Sequence, residues 1–252
     1  MKKFFGFVIF IAIVVAAVSF LPDILWSYDF EPQDSLDDYT WAEIYQLAGS
    51  GMPSFVLSSK YNVHVGDTKD GYVLVDDDAN SYATCGFVFM GLVKSYTNVP
   101  MKEGVNKNDG GYGKSALTPK LEQYYSTTLI NTEFGKELPK VKINYLTHCS
   151  NNATSDIDAR LFIPSLSEVN GRDTEDTMQK WFGTEGKVFD YFEDDPQTSR
   201  KTFSNMYKLD NCWWLRSIYN EREFCAVAKD GSIKYLPSSK NAAVIIAFVI
   251  GS

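Results

Sequence analysis

A chain of 252 residues with 44% hydrophobic and 15% aromatic side chains has ample material for a packed core, which excludes an intrinsically disordered protein. Its 24 basic and 32 acidic residues give a net charge of −8. An acidic chain without a basic stripe does not neutralise phosphates, so nucleic acid is not an expected partner.

Lys2 and Lys3 precede an unbroken apolar or small run over residues 4–20, closed by Leu21, Pro22 and Asp23, which is the layout of an export signal. As a helix this run reaches about 25 Å, short of the roughly 30 Å hydrocarbon core yet longer than an ordinary signal core. Two outcomes stay open. Ala17, Val18 and Ser19 offer small residues for cleavage, whereas Ile24, Leu25 and Trp26 extend a retained anchor. In both, residues 1–26 are a signal peptide or membrane anchor, and membrane contact is expected only through residues 4–26. The remainder is expected outside the cytoplasm, secreted or anchored, as an acidic spacer over residues 27–38 and one globular domain over 39–252.

Thr40, Trp41, Ala42 and Glu43 spell a capping box, followed by Trp41, Ile44, Tyr45 and Ala48 at helical spacing and a stop at Gly49. Residues 61–66 and 72–75 alternate like strands around Asp70-Gly71, and residues 84–93 read as an apolar strand. Thr118-Pro119 opens a second helix that buries Leu121, Tyr124, Tyr125 and Leu129. Ser165 through Glu168 spell another capping box, and residues 174–182 read as a third helix. From residue 212 the pattern is all strand. Segments 212–218, 223–229, 232–236 and 242–250 predict an antiparallel meander, and the wholly apolar last segment predicts a strand in the middle of its sheet.

Candidate chemistry is sparse. Cys85, Cys149, Cys212 and Cys225 allow three full pairings or four free thiols, and export permits either. With no CxxC, and His64 and His148 as the only histidines, zinc has little to bind. His148 and Cys149 point to opposite faces of a strand and form no catalytic dyad. Asp76-Asp77-Asp78, Asp156 with Asp158, and Glu193-Asp194-Asp195 read as solvated acidic loops, since none has the spacing of a calcium loop. No catalytic residue, metal or cofactor is expected.

The stretches YNVHVGDTK at 61–69, the apolar strand at 86–93, LFIPSLSEV at 161–169 and above all Trp213-Trp214-Leu215-Arg216-Ser217 resemble, in that order, a bacterial family catalogued as domain of unknown function 6273. That family is common in surface and secreted proteins of gut bacteria. Two departures are Ile218, where family members usually have proline, and residues 243–248, where they often close on a Val-Arg-Pro-Ala-like strand. The resemblance implies an α+β, C-type-lectin-like domain with two or three short helices and a C-terminal antiparallel β-meander, preceded by the N-terminal hydrophobic export or anchor segment. It transfers no catalytic residue.

Arg216 stands among large apolar neighbours on a strand, which points to a buried guanidinium stacked on an aromatic ring and paired with a carboxylate or backbone carbonyls. The alternative puts it at a pocket wall, holding an anionic sugar or a peptide terminus. Recognition is expected instead from the loop Tyr219, Asn220, Glu221 and Arg222, together with residues 236–241, because loops at a rigid sheet's end display polar and aromatic groups. The function read from these features is a non-enzymatic extracytoplasmic binding module for a glycan or a surface protein. A carbohydrate-active enzyme and a structural part of a surface assembly are the alternatives.

Overall fold

The computed structural model describes residues 31–148, 153–170 and 185–251. The export or anchor segment, the helix expected at 174–182 and Cys149 lie outside the described residues. What is described is α+β, with five α-helices and antiparallel sheets. Among these residues no helix is long and apolar enough to cross a membrane.

Helix α1 (Trp41–Gly49) starts on the expected capping box: Thr40 accepts from the Glu43 amide, and the Glu43 carboxylate accepts from the Thr40 amide at 2.8 Å. An unexpected helix follows, α2 (Ser54–Tyr61). It absorbs Tyr61 and ends on Asn62 in the left-handed region (φ 52°), with the Val63 amide turning back onto Leu57 O at 3.1 Å. The strand expected at 61–66 is therefore displaced to β1 (Thr68–Lys69). Asp70 and Gly71, at φ 51° and 81°, supply the two positive angles of a two-residue hairpin turn into β2 (Tyr72–Asp76).

Strand β3 (Gly86–Leu92) extends the hairpin's sheet, and β4 (Val99–Pro100) is a short strand outside it. Helix α3 spans Leu117–Thr127, two residues earlier than Thr118 capping would give. The Thr118 hydroxyl instead donates to Tyr112 O at 2.9 Å from within the first turn, where Pro119 is tolerated because its amide would have no helical partner. Strands β5 (Val141–His148) and β6 (Ala153–Ala159) form a hairpin. Helix α4 (Leu166–Val169) begins on the second capping box, with Ser165 Oγ accepting from the Glu168 amide and Glu168 Oε2 from the Ser165 amide at 2.7 Å. Asp195, expected in a solvated acidic loop, is the N-cap of α5 (Pro196–Met206), with Pro196 in its first turn.

Strands β7 (Trp213–Ile218), β8 (Glu223–Val227) and β9 (Ile233–Pro237) form a three-stranded meander. Of the expected fourth strand, Ala243 makes an isolated parallel bridge to Trp213, and the flanking residues pair elsewhere. Residues 241–242 (β10) pair with β4, and β11 (Ile245–Gly251) runs along β3 from Ile245↔Leu92 to Gly251↔Gly86 in the order β1-β2-β3-β11. Every residue of β11 is buried although it ends that order. Its outer edge is covered by Phe162, which exchanges backbone hydrogen bonds of 3.0 and 2.6 Å with Ala247, and α1 packs against it. A covered edge is as dry as a central strand, which corrects the expected position. One hydrophobic cluster extends from Leu36 to Ile250. At its centre Trp41, Phe89, Phe134 and Phe248 pack ring on ring, Trp41 to Phe134 at 4.5 Å and Phe134 to Phe248 at 5.2 Å.

Candidate functional site

All six residues of β7 are buried. Regular alternation would set Ser217 against Phe224 and Arg216 against Cys225, but a bulge lies between Trp214↔Ala226 and Ile218↔Phe224. The Arg216 amide is thereby freed from β8 and donates to Pro164 O at 2.9 Å, just before α4. The guanidinium turns toward α4. Its Nη1 donates to Glu168 Oε2 (2.7 Å) and Ile163 O (3.0 Å), its Nη2 to Glu168 Oε1 (2.5 Å) and Glu185 O, and its Nε to Asn144 O (3.0 Å). The Phe162 ring lies 5.6 Å from the guanidinium carbon. Five donors meet five acceptors, the full capacity of the group.

The carboxylate that caps α4 is thus also the ion-pair partner of Arg216, and Tyr82 Oη donates to its Oε1. Gly186 (φ +134°) makes room, since a Cβ there would stand 2.3 Å from Glu168 Oε1. Ser217 closes the arrangement: its Oγ accepts from the Leu166 amide at 2.8 Å and donates to Glu185 Oε2, while Glu185 Oε1 accepts from the Leu146 amide at 2.9 Å. Burial pushes the Glu185 carboxyl up to about 7 against the pull of Arg216. One guanidinium, one carboxylate and a carboxyl that holds its proton to neutral pH keep the cluster close to neutral. The capping box marks Glu168 in the sequence but not its pairing with Arg216, and Glu185 is not marked by its neighbours at all.

Of the three acidic runs, only residues 76–78 contribute to a carboxylate cluster among the described residues. Carboxylate oxygens of Asp76, Asp77 and Asp190 lie within 4.8 Å of one another, with Asp190 arriving from beyond α4. Burial pushes Asp76 up to about 8, opposed by the Asp78 amide, and Asp190 raises it further while Lys187 lowers it. Burial also raises Asp77, against a hydrogen bond from Ser54 at 2.8 Å. Three carboxylates are few for calcium, which takes six to eight oxygens. Cys225 is buried across from Tyr235 and Cys212 is half-buried, both as free thiols, while Cys85 Sγ donates to Gly49 O at 3.2 Å.

The loop from Tyr219 to Arg222 joins β7 to β8 and is held from outside its own hairpin. The Asn108 amide donates to Glu221 O at 2.9 Å, and Asn108 Nδ2 donates to Asn220 O and Glu223 O, both at 2.7 Å. Inside the loop, Asn220 Oδ1 accepts from the Arg222 and Glu223 amides at 2.8 and 3.0 Å. Tyr219 stacks on Tyr235 with centroids 3.7 Å apart, and Glu221 and Arg222 are exposed. The second expected loop lies alongside: buried Ser238 donates to Val105 O, and its amide to Arg222 O at 2.8 Å. Because Asn108 spends both Nδ2 protons on carbonyls, its amide cannot be turned around, and Oδ1 is a buried acceptor with no partner among the described residues. Asn108 lines a small cleft with Asp109, Thr147, His148, Asn220 and Glu221. Asn108 and Tyr235 are absent from the sequence-derived site because each reaches the loop only through the fold.

No match is found among curated proteins or among solved structures. Residues 90–251, from within β3 to the end of β11, match the model of the family described as domain of unknown function (DUF6273), and the chain belongs to that family.

Proposed function

We propose that the protein is an extracytoplasmic binding module that recognises a glycan or a surface protein through the Tyr219–Arg222 loop. The observation that carries this reading is the bracing of the loop by Asn108. Three hydrogen bonds from one residue hold the carbonyls of Asn220, Glu221 and the adjoining Glu223 in place, while Glu221 and Arg222 face solvent and the Asn108 amide oxygen has no partner among the described residues. A loop fixed before binding loses little entropy on binding. In this reading Trp213, Trp214, Leu215, Arg216 and Ser217 form the architecture behind the loop. The early pair of helices and the last strand closing an antiparallel sheet support a C-type-lectin-like arrangement.

Tyr219→Ala is expected to cost stability as well as binding, because it removes half of a stacked pair. The double variant Glu221→Ala with Arg222→Ala isolates recognition. With a ligand identified from a glycan and surface-protein array, it is expected to weaken binding by at least about 1 kcal/mol per contacting residue at an unchanged Tm. Undiminished affinity would remove the loop from the site.

The extracytoplasmic location rests on Lys2, Lys3 and the apolar run at 4–20. Residues 1–40 fused to a reporter active only after export are expected to give signal, and the mass of the mature amino terminus separates cleavage from a retained anchor. A silent reporter at normal expression would overturn the location.

A further inference from the structure

A second concavity shares no residue with the loop. Between the β1–β2 turn, the end of β3, α3 and the end of α5 lies a cleft of about 640 Å³, within the range of small-molecule sites. Three half-buried tyrosines line it: Tyr72 from β2, Tyr124 from α3 and Tyr207 just after α5. Each is anchored by the fold. The Tyr72 ring meets Phe248 edge-on at 5.0 Å and Phe134 at 5.5 Å. Tyr124 packs against Tyr96 at 6.0 Å, and Tyr207 donates its hydroxyl to Gly71 O at 2.7 Å while packing on Phe203 at 4.9 Å. Exposed Asp70, Lys94 and Thr128 stand among the lining residues.

We infer that this cleft is a saccharide-binding site for a neutral oligosaccharide. Fixed aromatic rings that keep part of their surface open offer apolar faces for the C–H faces of a pyranose. One carboxylate and one ammonium leave these polar lining groups without net charge, so the cleft selects neither an anion nor a cation. The carboxylate accepts, the ammonium donates and the Thr128 hydroxyl does both, which matches a ligand whose hydroxyls do both. Asp70 Oδ2 already accepts from Trp41 Nε1 at 2.7 Å. A sugar hydroxyl bound at Asp70 therefore perturbs that indole, and Trp41 becomes the reporter.

The test titrates the full chain, in detergent, with cello-, chito- and malto-oligosaccharides of four to six units, following tryptophan fluorescence and calorimetric heat. At least one series is expected to saturate. Tyr124→Ala should weaken it tenfold or more, Lys94→Ala several-fold, and Tyr124→Phe, which keeps the ring, less than Tyr124→Ala. The Glu221→Ala with Arg222→Ala variant should bind as the parent does, which separates this site from the loop and lets either stand without the other. No saturation by any series, parent-like binding by Tyr124→Ala at an unchanged Tm, loss in the loop variant instead, or binding confined to peptides would each overturn the proposal.

Discussion

Replacing Arg216 by alanine is expected to lower stability by about 3–5 kcal/mol, because Glu168 would be left buried and facing no cation. Three backbone carbonyls, those of Asn144, Ile163 and Glu185, would lose a donor at the same time. Arg216→Lys separates charge from shape. Lysine keeps the positive charge but lacks the planar fork that reaches both Glu168 oxygens and three carbonyls, so most of the loss should remain. Denaturant unfolding followed by far-ultraviolet circular dichroism reads both variants. A midpoint for Arg216→Ala within experimental scatter of the parent would remove Arg216 from the framework and return it to the pocket-wall reading.

Asp76→Asn is expected to raise stability at pH 8 and to remove much of its decline with rising pH. The folded carboxyl is held up at about 8 by burial, from an ordinary value of 3.8. Between those limits the folded chain binds a proton that the unfolded chain has released, so stability is fully present below about pH 4 and falls as pH rises through 8. At about 1.4 kcal/mol per pH unit the fall amounts to several kcal/mol across the window. Asparagine cannot ionise, yet its Oδ1 still accepts from the Asp78 amide. Glu185 adds a decline of the same sign ending near pH 7, so the variant's curve keeps a slope between about pH 4.5 and 7 and flattens above it. A variant whose Tm falls between pH 7 and 9 as steeply as the parent's would show that Asp76 is ionised in the folded protein.

What was legible in the sequence was local. Both capping boxes, the Asp70-Gly71 turn and the β7–β8–β9 meander follow from spacing over a few residues, and each stands in the structure. Chain-distant partnership was not legible. Glu168 was readable as the capping residue of α4, yet its second role depends on a bulge in β7 that places Arg216 opposite it, and strict alternation cannot show a bulge. Glu185 carries no local signal. The buried last strand pointed correctly to a dry environment and wrongly to a central position, because hydropathy cannot distinguish a flanking strand from a covering Phe162. Asp195 had a legible cap signal in the proline beside it, obscured by the acidic residues before it. Of the loop at 219–222, the sequence marked the exposed residues, while the Asn108 brace and the Tyr235 stack come from elsewhere in the fold.

The claim that the Arg216–Glu168 pair joins β7 to α4 as one unit is tested most directly by a double-mutant cycle with Arg216→Met and Glu168→Leu. Each single variant strands a buried charge, whereas the double variant strands neither of the pair. The double variant is expected to be less destabilised than the sum of the singles by well over 1 kcal/mol. Additive losses, measured in the same denaturant series, would contradict the pairing and leave the two residues as independent contributors to the core.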